Sequence, residues 1–166
     1  MRIWSLASIA ALALAGCSSE KEGTIATDDG DVAYSLDESD GNTRVNLDGP
    51  DGEAAVETGE DLTPDLPEGL TLYPGAKVDT VSNVGLGDSA AGTLVSMITS
   101  DSPDKVTAWY KAETTKAGYG IEAELQTGAL HMISGKAEDG RQFSVSATQR
   151  DDGSSVQIIA GAGLDN

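Results

Sequence analysis

Residues 102–118 read Ser-Pro-Asp-Lys-Val-Thr-Ala-Trp-Tyr-Lys-Ala-Glu-Thr-Thr-Lys-Ala-Gly, and this stretch carries the clearest helix signal in the chain. Ser102 suits an N-cap, Pro103 suits the first helical position, and Asp104 sits where the helix dipole favours an acid. Lys116 falls in the last turn and Gly118 marks the stop. Val106, Trp109, Tyr110 and Ala117 recur at helical spacing on one side, so an apolar stripe is expected to dock on a sheet.

On both sides of the helix the pattern is that of strands. Before it, Tyr73-Pro74-Gly75-Ala76 signals a turn into a strand over 77–84, and a Gly- and Asp-rich stretch at 85–91 leads to a second strand over 93–99. After it come strands over 119–125, 129–134, 141–148 and 156–160, with clean alternation at Phe143, Val145 and Ala147 and again at Val156, Ile158 and Ala160. Short Asp-Gly turns join them, so neighbours should pair antiparallel. The expected fold class is α+β, an antiparallel curved sheet with one packed helix in the order β-β-α-β-β-β-β, occupying residues 69–166.

Upstream, residues 17–68 are expected to form a lipidated start, an acidic spacer and a Pro-containing linker. From Ser18 to Glu68 there are 16 acidic and 2 basic residues, against 12 and 7 from Gly69 onward. Short β-like runs alternate there with Asp29-Gly30, Asp40-Gly41, Asp48-Gly49 and Asp51-Gly52. Each run offers only two or three apolar side chains, too few for independent stability, so the segment reads as a small acidic β-hairpin or meander, or as disorder. Pro64 and Pro67 stiffen its end.

The whole chain has 28 acidic and 10 basic residues, a formal net charge of -18 and only 4% aromatic residues. That balance argues against nucleic acid as a partner, because phosphate binding depends on Lys and Arg. By the same balance the chain as a whole is expected to be repelled by anionic lipid surfaces. Cys17 is the one cysteine, which excludes an internal disulfide and a thiolate zinc cage.

Residues 1–16 have the form of an export signal: Met1-Arg2 is a short positive start, and residues 3–15 are an apolar run too short for the roughly 20 residues of a spanning helix. The run ends in Leu14-Ala15-Gly16-Cys17, which resembles the lipobox of bacterial lipoproteins. That resemblance implies a diacylglycerol on the Cys17 thiol, cleavage before Cys17, and acylation of the new amine. Two or three chains of this kind, at about 0.8 kcal/mol per buried methylene, hold a protein on a membrane. Ser18, where such lipoproteins carry Asp for inner-membrane retention, implies the outer membrane, facing the periplasm. A Tyr-Pro-Gly-Ala opening, a Ser-Pro-Asp helix start carrying Trp-Tyr, and an Ala-Gly-Tyr ending also resemble a domain of uncharacterised envelope lipoproteins, over roughly residues 67–160; that likeness brings no activity with it.

Candidates for chemistry are few. His131, the single histidine, reads as an ordinary strand position beside Ile133, with no patterned partner to make it a general base. Glu122 and Glu124, two apart, are expected to share one solvated strand face. Trp109 and Tyr110 suit a ligand groove or, more simply, the core. The Asp-rich turns meet no EF-hand register, and neither a nucleophile elbow nor a phosphate loop is present. The expectation is a non-enzymatic binding or structural module with no cofactor and no metal, met by an envelope protein partner. The alternative is a small-ligand or calcium binder, using a cleft between helix and sheet or the Asp clusters.

Overall fold

The helix carries the chain from the middle of a sheet to its far edge. The computed structural model describes residues 20–27, 30–50, 52–87 and 90–162. In chain order the elements are β1 Glu20–Thr27, β2 Gly30–Ser39, β3 Asn42–Gly49, β4 Gly52–Gly59, β5 Lys77–Leu86, β6 Ala90–Thr99, α1 Pro103–Lys116, β7 Tyr119–Thr127, β8 Leu130–Ala137, β9 Gln142–Arg150 and β10 Gly153–Ala162. They form one ten-stranded antiparallel sheet in the order β1-β2-β3-β4-β5-β6-β10-β9-β8-β7. After β6 the chain crosses along α1 to β7 at one edge, then returns strand by strand until β10 pairs with β6.

This overturns the expected fold class. The protein is mostly sheet with one helix, and the β-β-α-β-β-β-β order set behind a separate acidic hairpin or disordered segment does not describe it. The acidic segment supplies four strands of the same sheet. Its runs are too poor in apolar residues to stand alone, but they need not: β4 takes the free edge of β5, with Val56 opposite Val84 and Ala54 opposite Leu86, and β3, β2 and β1 add outward in turn. Each added strand finds a ready ladder of backbone donors and acceptors.

Helix α1 starts after Ser102, whose backbone is extended and whose carbonyl accepts the Val106 N–H at 3.1 Å. The Ser102 side chain makes no capping bond, so the start rests on Pro103 and backbone geometry. The end is at Ala117, followed by Gly118 at φ +88. Pro103, Val106, Thr107, Tyr110 and Thr114 are the buried helix residues. Thr107 and Thr114 tolerate burial because their hydroxyls donate back to the Pro103 and Tyr110 carbonyls, at 3.0 and 2.7 Å.

Residues 60–76, between β4 and β5, lie as a strap on the same side of the sheet as the helix, and Leu62, Leu66, Leu70, Leu72 and Tyr73 join the core. At one end Thr93 Oγ1 donates to the Asp65 carbonyl at 2.7 Å and Asn83 Nδ2 to the Thr63 carbonyl at 2.9 Å. At the other, three tyrosine hydroxyls hold it: Tyr110 donates to the Thr71 carbonyl at 3.1 Å, Tyr119 to the Glu68 carbonyl at 3.2 Å, and Tyr73, within the strap, to Asp101 at 2.7 Å. Arg141 lies over the Tyr119 ring and also donates to the Glu68 carbonyl. Burial raises the phenol pKa of all three tyrosines, that of Tyr73 to about 12 with the Asp101 hydrogen bond adding to the effect.

Candidate binding face

Residues directly opposed in an antiparallel ladder project to the same side of the sheet, so the register carries each face from strand to strand. On the helix side, Val81, Val95, Ile158, Val145 and Ile133 form one row across β5, β6, β10, β9 and β8. All five are essentially fully buried. With Met97, Val106 and Tyr110, also fully buried, they fill the space beneath the helix.

The other face has no such cover. There Ser82, Leu94, Ile159, Ser144 and Ser134 make the neighbouring row. Leu36, Val45, Val56 and Val84 continue the face through the acidic strands. Ile159 is 50% exposed, while its chain neighbour Ile158 is 0% exposed. Ile25, Leu47, Leu86, Leu94, Ile98 and Leu125, the other large hydrophobic side chains that stand exposed among the described residues, project to this same side by their register. These side chains share one face, which runs from edge strand β1 to edge strand β7. At its centre an open apolar groove of about 220 Å³ is lined by Val84, Leu86, Gly92, Leu94 and Ile159. It borders a second hollow of about 300 Å³, where Ile159 meets Glu122, Ser134, Gln142 and Ser144.

Sequence reasoning did not single out this face. The available signal was the doubling of apolar residues at Leu94-Val95, Met97-Ile98 and Ile158-Ile159, which marks strands apolar on both sides; one helix and one strap can cover only one of them.

The residues considered for chemistry are not brought together. Glu122 and Glu124 part company, because the ladder between β7 and β8 shifts register between Ile121 and Ala123. This bulge leaves Glu122 in the hollow of the open face, while Glu124 pairs with Lys111 of the helix at 2.6 Å. His131 lies on the helix side, buried beside Ile133. Its Nδ1 is 3.2 Å from Asp104 Oδ1, yet the atom has no hydrogen-bond partner. Tyr110 is a core residue and Trp109 is partly buried against the core; the two rings meet edge to face at 4.8 Å, and both contact the Tyr73 ring. Among the described residues, no group of three or more His, Cys, Asp or Glu is placed to hold a metal ion. Cys17, with the lipobox and export signal, and Asp28, Asp29 and Asp51 of the acidic turns lie outside the described residues.

Residues 78–155 match the family model described as START domain-like. The matched span runs from β5 into β10 and takes in the helix and the strands it packs on, but leaves out β1 to β4. The likeness fits a sheet that grips a helix and is compatible with a ligand-binding module. No curated protein and no solved structure matches the chain significantly.

Proposed function

We propose that this chain is a non-enzymatic binding module, anchored by lipid on Cys17 in a bacterial envelope, that takes an apolar partner on the open face of its sheet. The observation that carries the binding part is the gathering of Ile25, Leu47, Leu86, Leu94, Ile98, Leu125 and Ile159 on one uncovered side. The START domain-like match supports a binding role. The filled space beneath the helix directs attention to the opposite face as the place of binding. The anchor rests on the Leu14-Ala15-Gly16-Cys17 pattern and the apolar run before it, and Ser18 favours the outer membrane of a two-membrane host.

Two measurements test this reading. Mass spectrometry of the mature N-terminus is expected to show acylated Cys17; an unmodified thiol there in cells would sink the anchor. For the face, a fluorescent probe that brightens in apolar surroundings is expected to bind the protein. Leu94→Asp with Ile159→Asp should abolish that signal while leaving circular dichroism unchanged. Retained probe binding in that folded variant would move the site elsewhere.

A further inference from the structure

The net charge of -18 conceals a segregation that the register brings out. In the acidic strands Glu22, Asp31, Asp37, Asp48, Glu53 and Glu57 all fall on the helix side. The open face instead carries Lys21 and Lys77 among its apolar side chains, with Arg150 on the same face but paired with Asp152 at 3.5 Å. Its acids are Glu38 and Glu122, with Asp79 at a bulge. A strongly acidic protein thus keeps one apolar surface on which most acids of its outer strands do not stand.

The chain also fixes where this surface lies relative to an anchor. Only Ser18 and Ser19 separate Cys17 from Glu20, the first residue of edge strand β1. Three residue steps span at most about 10 Å. Within that strand Lys21 and Ile25 project to the open face. A lipid on Cys17 therefore holds the rim of this face at the headgroups.

We infer that the open face of the sheet lies against the bilayer that holds the Cys17 lipid, with its aliphatic side chains in the interface and Lys21 and Lys77 on anionic headgroups. This rests on the anchoring and apolar-face reading above and names the partner of that face. Apolar burial and headgroup attraction act together in such docking. A second copy stacked face to face is the poorer fit, because it would oppose two sets of the same bases.

The test uses lipidated full-length protein in phosphatidylcholine vesicles containing phosphatidylglycerol. With Cys17 acylated, a thiol-reactive fluorophore goes to one introduced cysteine, in Ile159→Cys on the open face or Ala108→Cys on the exposed side of the helix. The Ile159→Cys label is expected to be quenched by a quencher on the lipid chains and to be several-fold less accessible to aqueous iodide than the Ala108→Cys label. Lipid quenching should fall several-fold in pure phosphatidylcholine or on adding Lys21→Glu and Lys77→Glu. Equal iodide access at both positions, in protein that floats with the vesicles, overturns docking while leaving the anchor intact. Shielding of Ile159→Cys from both quenchers assigns the face to a second copy of the chain and also overturns it. Lipid quenching that ignores headgroup charge and both Lys variants overturns the role of the bases. Failure to float, or labelling of the parent at Cys17, is the distinct signature of a failed anchor.

Discussion

Ile159 stands directly across the ladder from Leu94 on the open face, while the adjacent pair Ile158 and Val95 meet beneath the strap and helix on the other. Neighbouring residues of one strand thus hold opposite positions in the energetics. Ile158→Ala is expected to cost about 2–5 kcal/mol, the transfer term plus the cavity left in a packed interior. Ile159→Ala should stay within about 1 kcal/mol, since half of the side chain already meets solvent, 50% by area. Urea midpoints of the two variants check this. Equal losses would mean that the faces are misassigned.

Tyr73 supplies a test of the strap. Its hydroxyl donates to Asp101, which also receives Lys105 at 2.8 Å. Tyr73→Phe should lower stability by about 1 kcal/mol at neutral pH. Lys105 and then Tyr73 hold the Asp101 carboxyl below its ordinary 3.8. A lowered carboxyl pKa stabilises the fold above the unfolded value, and that contribution is lost as pH falls through the lowered one. The phenol runs the other way. Raised from 10.0 to about 12, it contributes fully below its unfolded value and ceases to as pH climbs through the raised one. The stability gap between wild type and Tyr73→Phe should therefore be widest at mid pH and narrow at both extremes; a gap that grows in alkali would contradict the geometry.

Gly153 opens β10 at φ +137, and a Cβ there would sit 2.0 Å from the Thr99 carbonyl oxygen. The clash is with backbone, so no side-chain rotation relieves it. Gly153→Ala is expected to cost at least about 1–3 kcal/mol from the strained conformation alone, and to loosen the pairing of β10 with β6 at that end. Thermal unfolding measures the loss, and a variant as stable as wild type would show that this turn relaxes freely.

How far the sequence could be read follows from what each residue faces. Phe143, Val145 and Ala147 alternate with polar residues because one side of β9 is buried and the other holds Gln142, Ser144 and Ser146, so that strand was legible. Helix α1 was legible from Pro103, Asp104 and Gly118. The single ten-stranded sheet was not, because the capacity of β5 to accept β4 is a property of a free edge and leaves no mark on composition. The separation of Glu122 from Glu124 was hidden for a related reason, since period-two arithmetic assumes a regular ladder and one bulged residue inverts it. The open face was hidden because Leu94 and Ile159 stand next to Val95 and Ile158, and consecutive apolar residues in a strand do not say which side is covered.

The acidic strands should be the least stable part of the sheet, and electrostatics should govern by how much. Asp48 and Glu53 oppose each other directly across β3 and β4, both exposed, and like charges so placed destabilise a pair. The helix contacts β7, β8 and β9, so β1 to β3 lack its cover and should open locally, without global unfolding. Amides of β2 and β3 are then expected to exchange with solvent well before those of β6, β9 and β10. Glu53→Lys replaces repulsion by attraction and should slow exchange in β3 and β4, a gain of about 0.2–1 kcal/mol. Raising salt to about 1 M, where the Debye length falls to about 3 Å, should slow exchange in wild type and shrink the advantage of Glu53→Lys. Exchange in β3 and β4 that responds to neither change would mean that backbone pairing to β5, and not the charge on that face, sets their stability.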